Sequence, residues 1–301
     1  GNNPPSSNAG DIVNKGVELE LGFKKRIGDF SLDIKALASS LKNEVTYIGN
    51  EASSIRGANL GTTGEITRSE EGKPIWFFYG YEADGIFNDR EEVSNYTNDE
   101  GELIQPNAIA GDIKFKEING EGKISEADKT LIGNPHPKWN LSLNSTLTYK
   151  NFDLNLFFNA RLGADVYFGA YRTDLNMNNK PEFFYEEAWT PDNKSADFPR
   201  LTAGDSNPGN FSHNSMFVFD GSFLRLQNVE LGYTLPDKLM GKAGIDKLRI
   251  YLSGENVFLL SKYPGDPELG NSGGVYGNSI GVDRGLYPRA RVISFGANLI
   301  F

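Results

Sequence analysis

Residues 293–301 read Ile293-Ser294-Phe295-Gly296-Ala297-Asn298-Leu299-Ile300-Phe301, and Ile293, Phe295, Ala297, Leu299 and Phe301 share one parity. Alternation of this kind marks a strand with one apolar face, because successive side chains point to opposite sides of a sheet. Two architectures end this way. A membrane β-barrel closes on an apolar strand with a terminal aromatic residue, and a soluble sandwich finishes on an ordinary last strand.

Working outward, nine segments read as strands. Val17, Leu19, Leu21 and Phe23 share a face opposite Glu18 and Glu20. After a short turn near 25–28, Phe30, Leu32, Ile34 and Ala36 alternate with Ser31, Asp33 and Lys35. A strand over about 59–68, a turn at 69–74 and an aromatic strand containing Trp76, Phe77, Phe78, Tyr79 and Tyr81 follow with less regularity. The clearest pair is Trp139, Leu141, Leu143, Leu147 and Tyr149, then Phe152, Leu154, Leu156 and Phe158, joined at Lys150-Asn151 and interleaved with Asn, Ser, Thr and Asp. Between Phe223 and Tyr233 the apolar parity shifts at Asn228, which predicts a β-bulge or a half-buried register change. Leu248, Ile250 and Leu252 form the eighth segment, and residues 293–301 the ninth.

Connection lengths separate the two architectures. Turns near 25–28, 69–74, 150–151 and 236–246 are short or moderate, whereas connections near 42–58, 88–137, 164–221 and 261–289 are long. Long and short therefore alternate, so all the long connections leave one rim, as in membrane barrels. Phe23, Phe30, Trp139, Tyr149, Phe152, Tyr233 and Phe301 are read as strand-end residues beside the short turns, where an interfacial aromatic girdle belongs.

Composition removes several functions. The 301 residues contain no Cys and two His, His136 and His213, leaving little for thiol or imidazole chemistry. A formal charge of −10 without a basic stripe disfavours nucleic acid as a partner. No apolar run is long enough for a transmembrane helix, a test that strands escape, and no signal-peptide pattern opens the chain.

One compact constellation carries possible metal chemistry. Glu117-Ile-Asn119-Gly-Glu121-Gly122-Lys123-Ile-Ser-Glu-Ala-Asp128 follows the spacing of an EF-hand or dockerin calcium loop. Its ligands would be Glu117, Asn119, Glu121, the Lys123 carbonyl and Asp128. Glu stands where Asp is usual at the first and fifth positions, so a Ca2+ site and a metal-free turn both remain open. Glu186-Glu187 and Asp266-Pro267-Glu268 pair carboxylates without a partnering catalytic motif and read as solvated or turn-forming. No nucleotide fingerprint or triad occurs. The long connections carry Tyr167, Phe168, Tyr171, Asn176, Asn178, Phe183, Phe184, Tyr185 and Trp189. Among these, Tyr167, Tyr171, Tyr185 and Trp189 are candidates for stacking on sugar rings or peptide groups.

The motifs resemble one family. Asn8-Ala-Gly-Asp-Ile-Val-Asn-Lys-Gly-Val-Glu18, Gly111-Asp-Ile-Lys-Phe-Lys-Glu-Ile-Asn-Gly-Glu-Gly122, Ile132-Gly-Asn-Pro135 and Ser222 to Pro236 carry the resemblance. Ser253-Gly-Glu-Asn256, Asp266-Pro-Glu268 and Gly281 to Pro288 extend it. Together they are similar to the C-terminal part of SusC/RagA-type TonB-dependent outer-membrane transporters. The resemblance implies an all-β, antiparallel up-and-down transmembrane barrel of about twenty-two strands, of which nine would be the closing portion. It also implies a plug domain and N-terminal strands that these 301 residues lack. Oligosaccharides or peptides would be imported together with a SusD-like surface lipoprotein and the TonB complex. The barrel-assembly machinery would read Phe295, Leu299 and Phe301. No enzyme activity is implied, and no cofactor is required. The alternative is a soluble secreted β-sandwich that binds glycans and carries a calcium loop.

Overall fold

The computed structural model describes residues 10–49, 53–61, 64–170, 181–201, 210, 212–240, 244–269 and 277–301. Its main element is a seven-stranded sheet. We number these wall strands β1 (Gly10–Ile27), β2 (Phe30–Ile48), β3 (Trp139–Tyr149), β4 (Phe152–Leu162), β5 (Phe223–Thr234), β6 (Lys247–Ser261) and β7 (Val292–Ile300). Each pairs antiparallel with the next in chain order, giving an up-and-down meander. Among the described residues no helix is long and apolar enough to cross a membrane.

Pairing puts matched residues on one face. Leu154 lies opposite Leu147 and Leu231, and Leu147 opposite Leu32. Leu231 faces Leu252, and Leu252 faces Phe295. This face stays open, with Leu19, Leu21, Phe23, Leu231, Leu252 and Phe295 all exposed. So much contiguous apolar surface must be covered by something other than water. The other face carries Asp33, Asn144, Asn155, Glu230 and Ser253, with Arg249 bonding Asp153 (Nε to Oδ1, 3.0 Å) and Glu230 (2.6 Å).

The short-turn rim is built from aromatics in register. Ile27, Phe30, Tyr149, Phe152, Tyr233, Ile250 and Ala297 form one continuous cross-strand row, with the Phe152 and Tyr233 rings 4.7 Å apart. Gly28 and Lys150 take positive φ, the backbone sense that tight hairpins between right-twisted strands require. Trp139 departs from its expected place. It opens β3 opposite Ser40 and Leu162 at the far rim, because β3 descends from a long connection to the turn at Lys150.

The expected phase change at Asn228 is a bulge. Register slips between Leu226 and Asn228, leaving Gln227 unpaired on both sides of β5, and β6 answers with Asn256 at φ 52°. The slip returns Leu226 and Leu224 to the apolar face.

Among the described residues the wall has seven strands rather than nine. The segment 59–68 contributes only an Asn59–Glu65 bridge and the start of Thr67–Glu70, and the aromatic segment forms Phe77–Tyr81. Those two short strands lie in a separate four-stranded sheet with Ser54–Arg56 and Lys129–Gly133. The reason is length and burial. Phe77–Tyr81 is five residues, all buried, and a membrane-spanning strand needs about nine to eleven with one face open. The turn at 69–74 is therefore not a barrel turn, and the connections 42–58 and 88–137 belong to a single excursion over 49–138.

The three long excursions, 49–138, 163–222 and 262–291, share one core at the long-connection rim. Phe78, Tyr81, Ile113 and Phe115 come from the first, Val166, Tyr167, Phe184, Phe198 and Phe217 from the second, and Tyr263, Leu269 and Val282 from the third. Backbone pairing joins them: Tyr81 N donates to the His213 carbonyl (2.8 Å), and Tyr167 pairs with Val282. Arg284 from the third excursion donates to the Asn59 carbonyl of the first (2.6 Å).

Candidate functional site: rim and inner wall

At the mouth of the inner wall sits an ion cluster. Arg225 on β5, 3% exposed, contacts Asp266 Oδ1 through Nη2 (2.5 Å) and approaches Glu268 Oε2 through Nε at 3.3 Å. The second approach is an ion pair without hydrogen-bond geometry, since neither Arg225 Nε nor Glu268 Oε2 finds a hydrogen-bond partner. Arg289 and Arg161 reach Glu268 at 3.2 and 4.0 Å, and Arg289 N donates to Asp266 Oδ2. Of the two expected roles, solvated or turn-forming, Asp266 takes the second, accepting from Glu268 N at 3.0 Å, and neither carboxylate is solvated. Burial beside arginines makes them a clamp that fastens both ends of the third excursion to β4 and β5. Nearby, Tyr263 donates to Asp283 Oδ2 (2.5 Å), and burial together with that carboxylate raises the phenol's pKa. Glu186 and Glu187 are exposed.

The calcium-like segment closes on itself. Asp128 is fully buried, and its two oxygens accept from the amides of Ile118, Asn119 and Ser125 and from Asn119 Nδ2, at 2.7–3.1 Å. Glu117 Oε1 and Asn119 Oδ1 both accept from Glu121 N, at 2.9 and 2.7 Å. A calcium loop needs its twelfth-position carboxylate turned to the ion, whereas this one is spent on four N–H donors. Among the described residues no group of three or more His, Asp or Glu is placed to hold a metal. The donor set as folded does not fit Ca2+, because the Asp128 carboxylate is turned inward onto the loop's own N–H groups.

Of the aromatic candidates, Tyr167 is a core residue, 3% exposed and edge-on to Phe78 and Phe217. Its apolar neighbours leave no ring face for a ligand. Trp189 packs over Gly111, where φ is +90° and a Cβ would come within 2.4 Å of the indole. Tyr185 is 77% exposed and available. Tyr171, Asn176 and Asn178 lie outside the described residues. Phe295 and Leu299 lie on the open apolar face opposite Leu252 and Leu248, and Phe301 follows β7, fully accessible.

His136 Nε2 contacts the Ile75 carbonyl at 2.7 Å in the lead-in to β3. His213 Nδ1 contacts the Glu65 carbonyl at 2.7 Å, and burial pushes its pKa down to about 4, so it is neutral at physiological pH. Burial likewise raises Asp165, whose carboxylate accepts from Asn134 N.

Sequence reasoning missed an open polar cleft of ≈540 Å³ lined by Asp84, Phe87, Asn88, Glu92, Tyr96, Lys114 and Lys194. Lys114 pairs with Asp84 at 3.2 Å and lies 4.9 Å from the Tyr96 ring centre. It also missed Arg225 and Arg249. The available signal was an arginine at inward parity inside an otherwise alternating wall strand.

A meander with one open apolar face, one polar charged face and all long excursions on one rim is a portion of a membrane β-barrel wall. No family model matches the chain. Individual relatives do: TonB-dependent receptor P3 of Formosa agariphila is 33% identical over 98% of the chain and 29% of its own length. TonB-dependent receptor SusC of Bacteroides thetaiotaomicron is 28% identical over 98% of the chain and 27% of its own length. The solved RagAB peptide transporter superposes with a TM-score of 0.70 at 24% identity, over 97% of this chain and 30% of that one. This chain belongs with the TonB-dependent receptors. It spans about three-tenths of the length of the curated relatives it matches. These relatives are receptors and transporters rather than enzymes.

Proposed function

We propose that the chain forms part of the wall and outer rim of an outer-membrane importer for oligosaccharides or peptides. The carrying observation is the two-faced wall, whose apolar side suits lipid and whose charged side suits a hydrated lumen. The rim unit would meet a SusD-like surface lipoprotein. Energy would come from the TonB complex through parts of the protein outside this chain, and barrel-assembly machinery would recognise the strand ending at Phe301. The mixed charges of the cleft at Asp84 and Lys114, with Tyr96 beside them, suit hydroxyl- and amide-bearing ligands alike. We read the Glu117–Asp128 loop as a metal-free structural turn on the basis of its saturated Asp128.

Deletion of the parent gene is expected to abolish growth on at least one oligosaccharide or peptide supplied as sole carbon source. Restoring the gene with Lys114→Glu should return wild-type receptor levels in the outer membrane but at least about tenfold slower uptake, the scale of one lost charged contact. Unchanged growth on a full panel of glycans and peptides would overturn the proposal.

A further inference from the structure

We propose that a notch on the open face of the wall binds the phosphorylated headgroup of an outer-leaflet glycolipid, an inference that rests on the outer-membrane reading above. The notch has a volume of ≈410 Å³ and opens where β2 outruns β3. Its floor is Ser40 to Glu44 of β2, its lower edge is Trp139, and Gly72, Pro74, Asn134, His136 and Lys138 close its upper side. Lys15, Lys42 and Lys138 all line it, against one carboxylate, Glu44.

Its height fits a headgroup. Register carries the row Phe30–Tyr149 up to Ser40–Trp139 in ten residues. At about 3.3 Å per residue and a tilt of about 40°, that climb is about 25 Å, the height of a barrel's apolar band. Along β1 the open-face parity runs Lys25, Phe23, Leu21, Leu19, Val17, Lys15, an apolar stretch bracketed by lysines. Trp139 therefore marks the upper interface, and the three lysines stand in the layer just beyond it.

Their arrangement sets three ammonium groups against the single carboxylate of Glu44, which answers one of them and leaves the notch two positive charges in excess. Lys15 and Lys42 lie directly opposite each other across β1 and β2, a like-charge pair that destabilises a sheet unless an anion bridges it. Lys42 reaches Glu44 at 2.6 Å. Among the described residues neither Lys15 nor Lys138 has a carboxylate within ion-pair distance. The notch is thus net positive in a chain whose formal charge is −10. Trp139, 44% exposed, offers an apolar ring at the acyl and sugar boundary while the ammonium groups face phosphate.

The test uses the full-length receptor reconstituted in phosphatidylcholine nanodiscs with diphosphoryl lipid A or its dephosphorylated form, and reads retained lipid by native mass spectrometry. Wild type should retain the phosphorylated form selectively. The triple variant Lys15→Gln, Lys42→Gln, Lys138→Gln should retain it on the order of a hundredfold less, about fivefold per lysine. The corresponding Lys→Arg triple variant should keep it. Equal retention by wild type and the Gln variant, or competition by millimolar inorganic phosphate as effective as by lipid, would overturn the headgroup assignment while leaving the membrane reading intact. Failure of the receptor to enter nanodiscs at all would overturn both.

Discussion

Replacing Arg225 with methionine should destabilise the rim by about 3–5 kcal/mol, the scale for removing one partner of a buried ion pair. Asp266 and Glu268 are about 10% and 9% exposed at their side chains and would be left facing each other. The guanidinium groups of Arg289 and Arg161 approach only Glu268 and are themselves partly solvated, so they compensate weakly. The loosening should be local in a telling way. Hydrogen exchange should accelerate at both ends of the third excursion, 262–269 and 277–291, because the clamp holds both. Arg225→Lys, which keeps the charge but loses the planar fork, should fall between. Wild-type exchange in the methionine variant would show that the cluster is not a clamp.

Phe184→Ala should cost about 3–5 kcal/mol, the usual range for a buried aromatic cut to alanine. Phe184 is 1% exposed, with Phe198 at 4.1 Å, Phe183 at 5.0 Å and Phe168 at 5.5 Å between ring centres. Its neighbours belong to the core shared by all three excursions. Protection should therefore drop at Phe78 and Val282 as well as around residue 184. If exchange rose only within 181–201, the excursions would be independent loops. A shared core instead makes the rim one body whose parts move together.

The wall was legible because its physics is local. A strand that is apolar on one side and polar on the other writes its period into the sequence, as Trp139–Tyr149 and Phe152–Leu162 do, and even the Gln227 bulge shows as a parity shift. Phe77–Tyr81 misled for the complementary reason. Aromatic residues favour strands wherever they pack, and a strand buried on both faces has no period to betray its setting. Trp139 was misplaced because composition at a strand end does not say which end. The ionic clamp was not legible at all, since Arg225 and Asp266 stand 41 residues apart and only the third excursion's path joins them. The Glu117–Asp128 pattern was legible as a turn, but the direction in which Asp128 points was not.

The two faces of this wall should meet different media, lipid on the apolar side and water on the charged side. Single cysteines at 141 to 148 of β3, introduced one at a time into a cysteine-free full-length receptor, can be labelled with an environment-sensitive fluorophore in vesicles containing acyl-chain-brominated lipid. Strong lipid quenching is expected at 141, 143 and 147 and little at 142, 144, 146 and 148. Alternating polarity without quenching by the brominated chains would contradict it, because the apolar face would then be buried against protein, as in a sandwich.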